Sequence, residues 1–102
     1  MKLSNEIIKA LEEKGFKRWT KEGRNGIMDR LYINATKLGL ELTYYKTGNI
    51  SGAWFNGERL SNCQGRRWQA AKTWIDIETG EVHSDVDDLQ DAAQELLDEA
   101  VA

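Results

Sequence analysis

The chain has 102 residues, with 14 Lys and Arg against 17 Asp and Glu and a formal net charge of −3, a balance that excludes a uniformly basic nucleic-acid binder. The length suits one ordinary domain and leaves no room for the separate cofactor and substrate domains of larger enzymes. Apolar residues at 40%, with four Trp, three Tyr and two Phe, are enough to bury a core and exclude disorder as the main state.

Leu3-Ser4-Asn5-Glu6-Ile7-Ile8 reads as a helix start, with Ser4 capping free amides and Leu3 stapled onto Ile8. Ile7, Ile8 and Leu11 form the buried stripe. Gly15 can take the left-handed conformation that ends the helix while Phe16 folds back on Leu11, so the first helix spans about residues 4–14. From Phe16 the apolar period changes to two, and a hairpin follows. It runs along residues 16–21, turns at Glu22-Gly23-Arg24-Asn25-Gly26 and returns along 27–35 with Ile27, Leu31 and Ile33 on one face. Met28, Arg30, Tyr32 and Asn34 take the other face.

Residues 40–45 and 50–55 form a second hairpin across Lys46-Thr47-Gly48-Asn49, and Asn56-Gly57 closes it. Ser61 or Asn62 can then cap a short helix to about Lys72, in which Gln64, Trp68 and Ala71 share a face. Residues 73–77 and 82–83 make a third hairpin around Gly80. Ser84-Asp85-Val86-Asp87 resembles a capping box, and Val86, Leu89, Ala93, Leu96, Leu97 and Ala100 recur at spacings of three and four, the mark of an amphipathic helix. The chain therefore reads as one α+β domain over 1–102. Its expected architecture is an antiparallel sheet of about five to six strands, flanked by N- and C-terminal helices, with a short helix between strands. Trp54 and Phe55 fit a dimer interface as well as a core, so monomer and homodimer both stand at this point.

Charge is divided along the chain. Residues 1–74 hold all 14 basic side chains and 7 acidic ones, and residues 75–102 hold the other 10 acidic ones, so the net −3 is +7 and −10 laid end to end. Asp87, Asp88, Asp91, Glu95, Asp98 and Glu99 cover the outside of the last helix. Acids in its first turn favour the helix dipole and all of them aid solubility, whereas those further along gain nothing from the dipole. The whole set forms a candidate recognition face for a basic groove, including one that normally holds nucleic acid. Basic residues beside aromatics occur as Lys17-Arg18-Trp19 and Arg66-Arg67-Trp68. Such clusters serve core or interface packing, cation–π pairing or base stacking beside phosphates.

Little points to catalysis or metals. His83, the only histidine, neighbours Asp85 and Asp87 and reads as a strand-end surface residue. Cys63, the only cysteine, permits no intramolecular disulfide, fits a reducing cytoplasm and reads as an inert thiol. Asp76, Glu78, Glu81 and Asp85 are carboxylates around a turn, ordinarily solvated. No phosphate loop, nucleophile elbow or zinc-helix motif is present, so no enzyme, cofactor or metal site is expected. The apolar residues after position 6 are broken by Lys9, Glu12 and Glu13, unlike a signal peptide. No apolar run approaches the roughly 18 residues that cross a bilayer, and a cytoplasmic protein without membrane partners is expected.

The segment from Leu31 to Leu40, Leu-Tyr-Ile-Asn-Ala-Thr-Lys-Leu-Gly-Leu, is followed by Tyr44-Tyr45-Lys46-Thr47-Gly48-Asn49-Ile50-Ser51 and Phe55-Asn56-Gly57-Glu58. This middle third resembles small proteins carried by phages and prophages, some of them anti-CRISPR or other anti-defence inhibitors. The resemblance implies a non-enzymatic inhibitor in the host cytoplasm that occupies a host protein or nucleoprotein, and it carries over no functional residue. The alternative reading is a small nucleic-acid-binding module that uses Lys17, Arg18, Trp19, Arg66, Arg67 and Trp68.

Overall fold

A computed structural model describes residues 2–23, 26–60, 68 and 71–102. In chain order these form α1 (Asn5–Glu13), β1 (Lys17–Gly23), β2 (Gly26–Ile33), a 3-10 turn (Ala35–Leu38), β3 (Leu40–Tyr44), β4 (Ile50–Phe55), β5 (Glu58–Arg59), β6 (Thr73–Asp76), β7 (Val82–Ser84) and α2 (Asp87–Val101). The architecture is α+β with two helices flanking antiparallel strands. The seven strands belong to two sheets rather than one, a four-stranded sheet in the order β1-β2-β6-β7 and a three-stranded sheet in the order β3-β4-β5. The division follows from the 3-10 turn. Asn34 caps it by accepting the Thr36 N–H at 3.0 Å, and Gly39 ends it at φ 108°, so the chain leaves the first sheet after β2 and starts a second before β6 returns to pair with β2.

Alternation along β2 and β6 places the core. Leu31 lies opposite Ile75 in the register, and both are fully buried with Ile33, Val82, Ile8, Leu11, Ala93 and Leu97 around them. A second cluster gathers Ala35, Leu40, Ala53, Phe55, Ala71 and Leu89 under the three-stranded sheet. α2 spans both, with Leu89 in one cluster and Ala93 and Leu97 in the other. Phe55 is thus a core residue. Trp54, half-buried, lies over Gly52, where a Cβ would come within 2.5 Å of its ring, and only glycine admits the indole there. Trp68 packs against the second cluster, while the rest of the expected short helix, residues 61–67 and 69–70, lies outside the described residues together with Cys63.

The helix ends differ in how their free backbone groups are satisfied. At α1, Ser4 Oγ accepts the Ile7 N–H at 3.3 Å, and the Gly15 and Phe16 N–H groups donate to Glu12 and Leu11 at 3.1 and 3.2 Å, the double bond of a Schellman ending. The expected capping box at Ser84 does not form. Ser84 Oγ is instead shared with Thr73 Oγ1 at 2.9 Å and with the Val86 N–H at 3.2 Å, because Ser84 still belongs to β7, and α2 begins at Asp87 without a side-chain cap. Among the described residues no helix is long and apolar enough to cross a membrane.

Gly15 stands at φ 106°, where an L side chain is strained by about 1–2 kcal/mol. Gly15→Ala is expected to lower the thermal midpoint by about 4–16 °C, each kcal/mol being worth about 4–8 °C in a domain of this size, and differential scanning calorimetry measures the change.

Candidate functional site

Two faces of the molecule carry unneutralised charge, and the sheet separates them. α2 packs its apolar stripe against the inner side of the four-stranded sheet, which leaves its carboxylates off the core contact. Asp87, Asp88, Asp91, Glu95, Asp98 and Glu99 are all exposed. Glu99 is bridged by Lys14 Nζ at 2.8 Å, and Asp98 accepts from Gln94 at 3.0 Å. Asp87, Asp88, Asp91 and Glu95 have no ion-pair partner among the described residues. Asp88, Asp91 and Glu95 share a recess of about 220 Å³ with Ala92, Phe55 and Asn56. Phe55, at the end of β4, and Asn56, at φ 51° in the β4–β5 turn, close its other side. Three carboxylates around a small, partly apolar hollow can hold the cationic head of a Lys or Arg side chain while its methylenes lie on the apolar wall.

The opposite face belongs to the outer side of the four-stranded sheet. Lys17, Tyr32, Trp74 and His83 stand in one row across β1, β2, β6 and β7, and Trp19 and Arg30 are paired in a neighbouring row. Trp19 meets Tyr32 edge to face, with centroids 5.3 Å apart. The Arg30 guanidinium lies 3.9 Å from the Trp74 centroid, and the His83 ring stacks on the same indole at 4.3 Å and 20°. His83 Nε2 is also 3.2 Å from Glu81, which together with the indole accounts for this histidine as a surface packing residue.

The basic and aromatic residues read from the sequence are not brought together as one patch. Lys17 and Trp19 share the outer face. Arg18 is on the other side of β1, in a 2.9 Å ion pair with Asp29. Trp68 is half-buried with its Nε1 enclosed and without an acceptor among the described residues, and Arg66 and Arg67 lie outside those residues. Sequence reasoning missed Arg30 and Tyr32 as neighbours of Trp19, and Trp74 as the ring against Arg30. Alternation had put Arg30 and Tyr32 on one face, but the pairing of β6 with β2 joins residues more than 40 positions apart, and no local pattern reports it.

The carboxylates around the β6–β7 turn have structural work. Asp76 Oδ1 accepts the Glu78 and Thr79 N–H groups at 2.9 and 3.4 Å, and Asp85 accepts the Lys72 N–H at 3.2 Å. No group of three or more His, Cys, Asp or Glu suited to a metal ion occurs among the described residues. Comparison of the chain with protein-family models, curated proteins and solved structures finds no match.

The Asp29 carboxyl is held below the ordinary carboxylate value, first by the Arg18 hydrogen bond and next by that of Thr20 Oγ1. A lowered folded-state pKa makes this pair stabilising above the unfolded-state value, and the contribution is lost as the pH falls through the lower folded value. Asp29→Asn is therefore expected to lower the urea midpoint at about pH 7, and the difference from wild type should close by about pH 2, as followed by circular dichroism.

Proposed function

We propose that the protein is a non-enzymatic binding protein that acts stoichiometrically by seating the acidic outer face of α2 on a basic surface of a protein or nucleoprotein. The observation that carries this reading is the recess shared by Asp88, Asp91 and Glu95, whose carboxylates have no cation beside them among the described residues. Stability does not account for it. Asp91 and Glu95 stand four residues apart and Asp88 and Asp91 three, spacings at which like charges repel by about 0.2–0.5 kcal/mol per pair. Beyond the first turn the helix dipole gives nothing in return. A helix that keeps such repulsion on its exposed face is suited to a partner that supplies the missing positive charge.

The resemblance of the middle third to phage-carried proteins gives the partner its class. In this reading the protein is a phage-type inhibitor of a host defence component, CRISPR–Cas-like, whose basic groove it occupies. Occupancy requires a rigid scaffold and a matched field, and both come from α2 bridging the two core clusters. Lys14, bound to Glu99, marks where the acidic face meets the body of the protein.

Replacing Asp91, Glu95 and Asp98 together by Lys is expected to abolish capture of a nuclease-resistant host partner in a tagged pull-down that wild type performs, with wild-type capture weakening at high salt. The variant's thermal midpoint should stay level or rise, because the new lysines at 91 and 95 attract Asp87, Asp88 and Glu99 three or four residues away. Undiminished capture by the variant refutes the assignment of this face.

A further inference from the structure

The outer face of the four-stranded sheet combines three features that packing alone leaves unused. The Trp19 side chain is 40% exposed although a large indole gains most from burial. It stands on β1 between Lys17 and Lys21, which point to the same side two residues before and after it. Across the ladder Lys17 faces Tyr32, Trp19 faces Arg30 and Lys21 faces Met28, so the ring is ringed by cations.

Those cations are unspent. Lys17, Lys21, Arg30 and Lys37 take part in none of the ion pairs among the described residues. The Arg30 guanidinium is fixed against Trp74 at 3.9 Å, with its Nε enclosed and unpartnered and one terminal nitrogen 3.6 Å from Met28 Sδ. Stacking thus holds a charged fork in place, and Asp76, its neighbour across the ladder, makes no ion pair with it. Beside Tyr32 lies a cleft of about 260 Å³ lined by Gly15, Lys17, Tyr32, Ile33, Asn34 and Lys37. Gly15 keeps this cleft open, since a Cβ there would stand 3.0 Å from the Lys37 side chain. A cleft whose lining includes two lysines outside any ion pair among the described residues and a phenol ring suits a phosphate linked to a flat base.

We propose that this face binds single-stranded nucleic acid, with one base stacked on the exposed Trp19 indole and the backbone phosphates held by Lys17, Lys37 and Arg30. An indole accepts any base through its π-face, and each stack of this kind is worth a substantial part of the affinity of sequence-tolerant single-strand binders. A duplex keeps its bases stacked inside and offers Trp19 no ring face, so single strands are preferred. The site is independent of the acidic face of α2, which lies on the other side of the sheet.

The test is fluorescence anisotropy of labelled oligo(dT) and oligo(U) titrated with the full chain at several salt concentrations, the two probes separating DNA from RNA. Wild type should bind at least one probe, and its affinity should fall steeply with salt. Trp19→Ala should weaken binding about tenfold or more, whereas Trp19→Phe, which keeps a ring and the packing on Tyr32, should retain most of it. Lys17→Glu with Lys37→Glu should weaken binding and flatten the slope of log affinity against log salt by about 1.4, the value for two single-strand phosphates. The Asp91, Glu95 and Asp98 reversal should not reduce binding. Absence of binding to both probes at low salt overturns the proposal, as does duplex bound as tightly as single strand, or equal affinity for Trp19→Ala and wild type.

Discussion

The fold depends on one long-range union, the pairing of β2 with β6 that sets Leu31 against Ile75. Residues 34–72 separate the two strands, and closing so large a loop costs conformational entropy that grows only slowly with its length. Two fully buried aliphatic side chains, each worth about 1.5–3 kcal/mol on burial, meet at this junction and offset it together with the surrounding cluster. Without this pairing the β1–β2 hairpin would have no ladder to β6 and β7, and α1 would meet α2 only through helix contacts and the Lys14–Glu99 ion pair. With it, α1 and α2 lie on one side of a common sheet, Leu3 donates its N–H to Ile77 at 2.8 Å, and the first core closes.

The same pairing creates both charged faces. Period-two alternation requires that if Leu31, Ile75 and Val82 go inward, then Tyr32, Trp74 and His83 go outward. The inner side must be covered by an amphipathic helix, and α2 presents its carboxylates away from that contact. The unpaired carboxylates of α2 therefore lie on one side and Lys17, Trp19, Arg30 and Tyr32 on the other, where Asp76 opposite Arg30 and Glu81 beside His83 add two carboxylates of their own. A layer of aliphatic side chains keeps the acidic outside of α2 apart from the aromatic outer face of the sheet.

Local patterns carried most of the element reading. The Ser4 cap, the Gly15 ending with Phe16 on Leu11, and the three-and-four spacing of α2 are short-range signals, and each element stands where they point. The readings that needed revision involve distance. Ser84 looks like a helix cap until Thr73, eleven residues earlier, takes its hydroxyl. One sheet becomes two because four residues after Asn34 turn the chain aside. The acidic face was legible because it lies on a single helix. The aromatic face was not, since its parts come from β1, β2, β6 and β7 and meet only through register.

β1 lies at the end of its sheet, with residues 17–22 exposed on both sides. A strand so placed offers a row of unpaired peptide groups to any other chain, and lysines projecting from it discourage edge-to-edge association. Lys17 and Lys21 therefore serve solubility as well as any ligand, and their replacement by apolar residues would turn β1 into a template for stacking copies of the protein. The positive charge of this rim is constrained twice over, by what the face is to attract and by what its edge must repel.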